Sequence, residues 1–169
     1  MNKMRTIRIE KLTLNIGAGK NTALLEKGMK LIESIAGTKP VKTMTQKRIP
    51  GWGLRPGLPI GCKLTLRGKK AEELIPRLLS ARENRLVPKN FDGAGNISFG
   101  IPEYIDIDGI KYDPDIGIIG LQVCITLNRP GYRVKRRRLK TVKIPKAHRI
   151  SHAESQDYMK ERFKTTIEE

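Results

Sequence analysis

Aromatic side chains are scarce in this chain: one Trp, four Tyr and three Phe among 169 residues, 5% of the total. That excludes the ring-studded stacking platform of RRM-type sheets, whose RNP aromatic patterns are also missing. Cysteine is nearly absent. Cys62 and Cys124 have no C-x-x-C partner, and each sits in an alternating apolar run where a free thiol acts as a small hydrophobe, so neither a disulfide framework nor a redox motif is expected. The two histidines, His148 and His152, flank an expected helix start and no Glu or Cys completes a zinc set; they read as solvated or polyanion-facing imidazoles, and no metal or cofactor is expected. No run of eighteen apolar residues offers a membrane span, and residues 1–8 lack a signal-peptide core, so the expectation is a soluble cytosolic chain.

Acidic residues are missing from two stretches, and this absence carries the most information. Residues 39–70 hold nine Lys or Arg and no acid; residues 129–150 hold ten and no acid. The remaining 115 residues hold 15 basic and 17 acidic side chains, so the net charge of +17 lies wholly in these two stretches. A solvated charged face mixes both signs at i, i+4 spacing; two acid-free stretches describe a footprint for a polyanion instead.

Periodicity places these charges on elements. Residues 6–16 read as a strand with Leu12, Leu14 and Ile16 on one face and Lys11, Thr13 and Asn15 on the other; Ile7 and Ile9 have the opposite phase, which a bulge near Glu10 reconciles. Leu24, Gly28, Leu31, Ile32 and Ile35 predict an amphipathic helix over 21–36, ended by Gly37. A second strand is expected over 39–47. Four glycines, three prolines and the only tryptophan make 47–61 a long ordered loop. Residues 61–67 alternate Cys62, Leu64 and Leu66 with Lys63, Thr65 and Arg67, a strand with one packing face and one basic face. Ala71, Leu74, Ile75, Leu78 and Leu79 predict a helix over 69–84, with Pro76 expected to kink it or confine its regular part to the residues after it.

Glycine-rich 90–100 suggests turns around a short strand, and 104–112 an irregular extended piece. A further strand follows over 121–128. Residues 129–150 show no apolar face and are expected to order only against a partner. Ser151 with Glu154 forms a capping box for a terminal helix over 151–164. The sum is an α+β fold, a mostly antiparallel sheet with helices on one face and an open basic face. Three parts are expected: a domain over 1–128 with its protruding loop, a basic extension over 129–150, and a helix with tail over 151–169.

The glycine turn Asn15-Ile-Gly-Ala-Gly-Lys-Asn21 imitates a phosphate loop but lacks the first glycine, at Leu14, and the metal-binding hydroxyl, at Asn21. As a dinucleotide fingerprint it has Thr22 in place of the third glycine. No nucleophile elbow or acid–base cluster is present, which argues against an RNA-modifying enzyme. A chromatin-type DNA reader would carry a basic recognition helix, whereas both central helices here have mixed charge.

Leu31-Ile-Glu-Ser-Ile-Ala-Gly-Thr-Lys-Pro-Val-Lys-Thr43, Ile60-Gly-Cys-Lys-Leu-Thr-Leu-Arg-Gly68 and Asn90-Phe-Asp-Gly-Ala-Gly-Asn-Ile-Ser-Phe-Gly100 resemble, in order and spacing, the large-subunit ribosomal protein five family, which binds 5S ribosomal RNA. Tyr112-Asp-Pro-Asp-Ile-Gly-Ile-Ile-Gly120 and Asn128-Arg-Pro-Gly-Tyr-Arg-Val134 are similar to its archaeal and eukaryotic branch, and the tail favours an archaeal source. The resemblance implies a structural, non-enzymatic protein of the large subunit's central protuberance. Its implied partners are 5S RNA, large-subunit RNA, transfer RNA in the peptidyl site, neighbouring central-protuberance proteins and a small-subunit head protein. RNA contacts carried over by motif fall on Asn15, Thr38, Trp52, Thr65 and Arg67, and Thr38 and Trp52 depart from the Gln and Phe common in bacterial members. Lys63 joins them by alternation, and Arg133, Lys135, Arg136, Arg137 and Arg138 as tail phosphate contacts. The loop residues Arg48, Pro50, Gly51, Gly53, Arg55 and Pro56 are the implied contacts to transfer RNA.

Overall fold

The computed structural model describes residues 2–168. Its strands are β1 (Arg8–Gly17), β2 (Val41–Met44), β3 (Pro59–Leu66), β4 (Arg85–Leu86), β5 (Asn96–Ile101), β6 (Leu121–Asn128) and β7 (Thr166–Ile167). Five of them form a wholly antiparallel central sheet in the order β2-β3-β1-β6-β5. Alternation in each strand sorts side chains to two faces. Leu12, Leu14, Cys62, Leu66, Ile97, Ile101, Val123 and Ile125 are almost fully buried on one of them. The register of β1 against β6 shifts between Ile9 and Lys11, the bulge that the phase change at Glu10 requires.

Two helices cover the apolar face. In α1 (Thr22–Ala36) the Asn21 side chain accepts from the Leu24 amide at 3.1 Å, and Gly37, at φ +60°, closes the helix by donating to the Glu33 carbonyl at 2.8 Å. Its buried stripe runs through Leu25, Gly28, Leu31, Ile32 and Ile35, while Leu24 sits half-buried at the stripe's edge. At Gly28 the helix lies so near the sheet that a Cβ would stand 3.2 Å from Ile16 Cγ2.

The second helix, α2 (Lys69–Ser80), runs on both sides of Pro76, so its regular part is not confined to the residues after the proline, and it ends four residues earlier than its pattern suggests. Pro76 occupies the exposed side, where water can serve the carbonyl that its missing N–H leaves free. The second strand is likewise shorter than its expected span, covering 41–44 of 39–47.

Sequence-irregular segments complete the core. Tyr104, in the stretch read as an extended piece, is fully buried; its hydroxyl accepts from the Asp113 amide at 2.9 Å and so fixes the 104–113 loop. Helix α3 (His152–Phe163) begins with the Ser151–Glu154 capping box and contributes Met159 to the same core cluster. After α3, β7 pairs in parallel with β4.

The basic extension is partly folded, which corrects the expectation that it orders only against a partner. Ile144 and Ile150 are buried, and Tyr132 OH accepts from the Ile150 amide at 3.1 Å and donates to the His148 carbonyl at 3.2 Å. Arg129, 4% exposed, reaches Glu154 Oε1 at 2.6 Å and the Arg149 carbonyl at 3.1 Å. The apolar anchors are single residues without helical or strand period, which is why periodicity gave no sign of them. Between these clamps, residues 135–143 form an exposed basic tip.

Candidate nucleic-acid interface

Pairing turns the polar sides of the strands into cross-strand rows on the uncovered face. One row reads Val41, Lys63, Asn15, Gln122, Gly100; the next reads Thr65, Thr13, Cys124, Ser98; a third joins Lys11, Thr126 and Asn96. Asn15 Nδ2 donates to Gln122 Oε1 at 2.9 Å, fixing both amides in the middle of the first row. Arg8, opposite Asn128, extends the face. None of these paired positions is acidic, and most are small and hydroxyl- or amide-bearing, with Lys63 and Lys11 among them. Such a surface offers donors and acceptors at close range to sugars and phosphates, with little bulk to hold them off.

At the Leu66 end of the sheet, Arg67 lies 3.8 Å from Glu10 Oε1, and Arg136 of the extension pairs with the same carboxylate. Glu10, at the bulge, therefore ties this end of the sheet to the extension. Both arginines stay about half-exposed, with free N–H groups for phosphates. Arg137 Nε donates to the Lys140 carbonyl at 2.7 Å, holding the tip's turn, while Arg133, Lys135 and Arg138 are all exposed at the surface.

The remaining expected site residues are spread out. Thr38 follows the α1 cap, half-buried, its hydroxyl 3.4 Å from the Ala36 carbonyl. Trp52 belongs to the loop that enters β3 and Arg67 follows the strand's other end, so the eight residues of β3, about 26 Å at about 3.3 Å per residue, separate that loop's return from Arg67. Asn15, Lys63 and Thr65 lie between them on one face. In the loop, Pro50–Trp52 forms a single 3-10 turn closed by an Ile49–Leu54 bridge; Leu54 is buried, but Trp52 is 68% exposed. Arg48, Pro50, Gly51, Gly53, Arg55 and Pro56 are all exposed along it, and Lys20 lies against Gly53.

Two other sequence features find structural roles. The Ala18 and Gly19 amides of the glycine turn both donate to the Ile60 carbonyl, at 2.9 and 3.0 Å, so they are not presented to a phosphate. The imidazoles are not merely solvated: His148 Nε2 lies 2.9 Å from the Pro130 carbonyl and His152 Nε2 3.0 Å from that of Pro88, each stapling a turn. Among the described residues no three His, Cys, Asp or Glu side chains converge on a metal-sized site.

Lys11, Thr13, Gln122, Cys124 and Ser98 enter the candidate face only through the strand order. Alternation gave each strand its polar side, but not which strands are neighbours. Burial pushes the Cys124 thiol up from its ordinary pKa, as it does that of Cys62 on the opposite, packed face.

Comparison with known proteins matches residues 2–55 to the family described as Ribosomal protein L5 and residues 59–146 to the C-terminus of the same ribosomal family. The Large ribosomal subunit protein uL5 of Methanosphaera stadtmanae is 49% identical over 168 residues, 99% of this chain and 100% of that one. Its counterpart from Sulfurisphaera tokodaii is 48% identical over 170 residues, 100% and 96% of the two chains. That of Nanoarchaeum equitans is 50% identical over 152 residues, 89% of each.

Proposed function

Because the chain belongs to the ribosomal protein L5 family, and is therefore a structural, non-enzymatic constituent of the large ribosomal subunit in the cytoplasm, we propose that its open sheet face binds 5S ribosomal RNA and anchors it in the central protuberance. The observation that carries this reading is a five-stranded sheet packed on one side only, whose other side is polar, free of carboxylates at its cross-strand rows and bordered by Arg67 and the basic extension. Structured RNA is recognised largely by shape, through hydroxyl and phosphate contacts that such a face can make. Asn15, Lys63, Thr65 and Arg67 would discriminate, while residues 133–138 neutralise phosphates, including those of large-subunit RNA.

The two contributions separate on titration. Arg67→Ala should weaken 5S RNA binding by roughly 1–3 kcal/mol and reduce its preference over an unrelated RNA. Alanines at 135–138 should instead flatten the salt dependence by up to about 0.9 log units per lost phosphate contact and largely keep the preference. The reverse assignment would sink the reading.

The loop over 47–61 supports a second contact, to transfer RNA in the peptidyl site. Its tryptophan is exposed rather than packed on the domain, so the loop's one aromatic side chain is free for an external surface. Replacing residues 50–59 by a Gly-Ser linker should weaken peptidyl-site transfer RNA retention and leave subunit incorporation nearly intact; unchanged retention would remove the role. Contacts to neighbouring central-protuberance proteins and a small-subunit head protein belong to the same proposed placement.

A further inference from the structure

Where the extension folds back on the domain, it encloses a cavity of about 500 Å³ against the Gly93–Ala94 turn before β5. Its wall is apolar, built from Tyr132, Val142 and Ile144, and its rim carries Lys135, Lys143 and Arg149. No carboxylate among the described residues lines it. The nearby Asp92 carboxylate is occupied, accepting from the Ala94 amide at 2.9 Å and from the Asn96 amide and side chain at 2.6 Å each.

The cavity is preformed. Tyr132 is held by its two hydroxyl hydrogen bonds and by an edge-to-face contact with His148 at 5.8 Å between ring centres, while Arg149 Nε donates to the Ile144 carbonyl at 3.1 Å. Its volume lies in the range of about 300–1,000 Å³ typical of small-ligand sites. An aromatic and aliphatic wall under a purely cationic rim fits a flat, weakly polar group attached to an anion.

We propose that this cavity receives a single unstacked nucleotide of ribosomal RNA, the base entering against Tyr132 and its flanking phosphates meeting Lys135, Lys143 and Arg149. Unpaired bases are the parts of RNA that proteins take up by stacking, whereas paired regions are read by backbone and shape. The extension thus adds base capture to charge neutralisation. This site lies outside the sheet face and does not depend on what that face binds.

The test uses the full chain and two short RNA duplexes of equal length, neither containing 5S sequence, one of which carries a single unpaired 2-aminopurine. The parent protein should bind the bulged duplex about tenfold more tightly, the scale of one base stack, and change the probe's fluorescence. Ala94→Phe, on an exposed turn outside the core, should fill the cavity and abolish that preference while keeping affinity for the paired duplex. Gly93→Leu provides a second filled variant should the first unfold. Arg67→Ala should retain the preference, which keeps this result distinct from the sheet-face reading. Equal affinity of the parent for both duplexes, or a preference that survives both filled variants, overturns the assignment.

Discussion

Glu154→Gln isolates one charge that fastens the extension to the domain. In the folded chain Glu154 Oε1 accepts from Arg129 at 2.6 Å, and Oε2 accepts from the Ser151 amide at 2.9 Å. Glutamine keeps the shape but only one acceptor oxygen, so the change removes the charge and one of the two hydrogen bonds. Arg129 is 4% exposed and would be left buried without its counter-charge, held only by neutral acceptors such as the carbonyls of His148 and Arg149; its Nε already has no partner among the described residues. Losing one partner of a buried pair costs about 3–5 kcal/mol, but the Glu154 side chain is 41% exposed and water screens it, so about 1–3 kcal/mol is expected.

For a chain of this size that lowers Tm by about 2–4 °C per kcal/mol, readable by circular dichroism. The pH dependence supplies a second readout. The Ser151 amide, and after it Arg129, hold the Glu154 carboxyl below its ordinary value of 4.5. A depressed folded pKa means stability present above the unfolded value and lost as pH falls through the folded one. The parent and the variant should therefore differ most near neutral pH and converge well below pH 4.5. Identical melting at neutral pH, or a gap that persists undiminished in strong acid, would refute the reasoning.

Two further changes test the packing. Tyr104→Phe removes the hydroxyl that accepts from the Asp113 amide in a fully buried setting, and should cost about 1–2 kcal/mol while increasing hydrogen exchange at that amide; an unchanged exchange rate would count against the contact. Pro76→Ala restores a helical N–H in the middle of α2 and should stabilise the chain by about 1–3 kcal/mol in a denaturant melt, whereas no gain would show that the helix had already adapted to its proline.

The strands were legible because their alternation is strict: Leu12 to Ile16, Cys62 to Leu66 and Leu121 to Leu127 each declare a buried and an open side, and the phase slip at Glu10 announced its own bulge. Caps at Gly37 and Ser151 were visible for equally local reasons. What stayed hidden depends on distant partners. Nothing near Glu10 in sequence shows that Arg67 and Arg136 converge on it, and nothing near Asn15 shows that Gln122 is its neighbour. The extension's fold is not legible in sequence because its charge density hides Tyr132, Ile144 and Ile150, three isolated residues with no period. The 1–128, 129–150 and 151–169 division followed composition, whereas Met159 and Ile150 share a core cluster with the sheet.

Cys124 gives the most direct test that the open sheet face is the 5S RNA surface. It sits between Thr13 and Ser98 on that face and is partly accessible, whereas the chain's other thiol, Cys62, is fully buried on the packed face. Alkylation should therefore mark Cys124 selectively, slowly at neutral pH because burial raises its pKa, and faster as the solution is made more alkaline. In a complex with 5S RNA verified by gel shift, the rate at Cys124, followed by mass spectrometry, should fall to a small fraction of that in the free protein. An unchanged rate in the verified complex would place the RNA elsewhere and contradict the account.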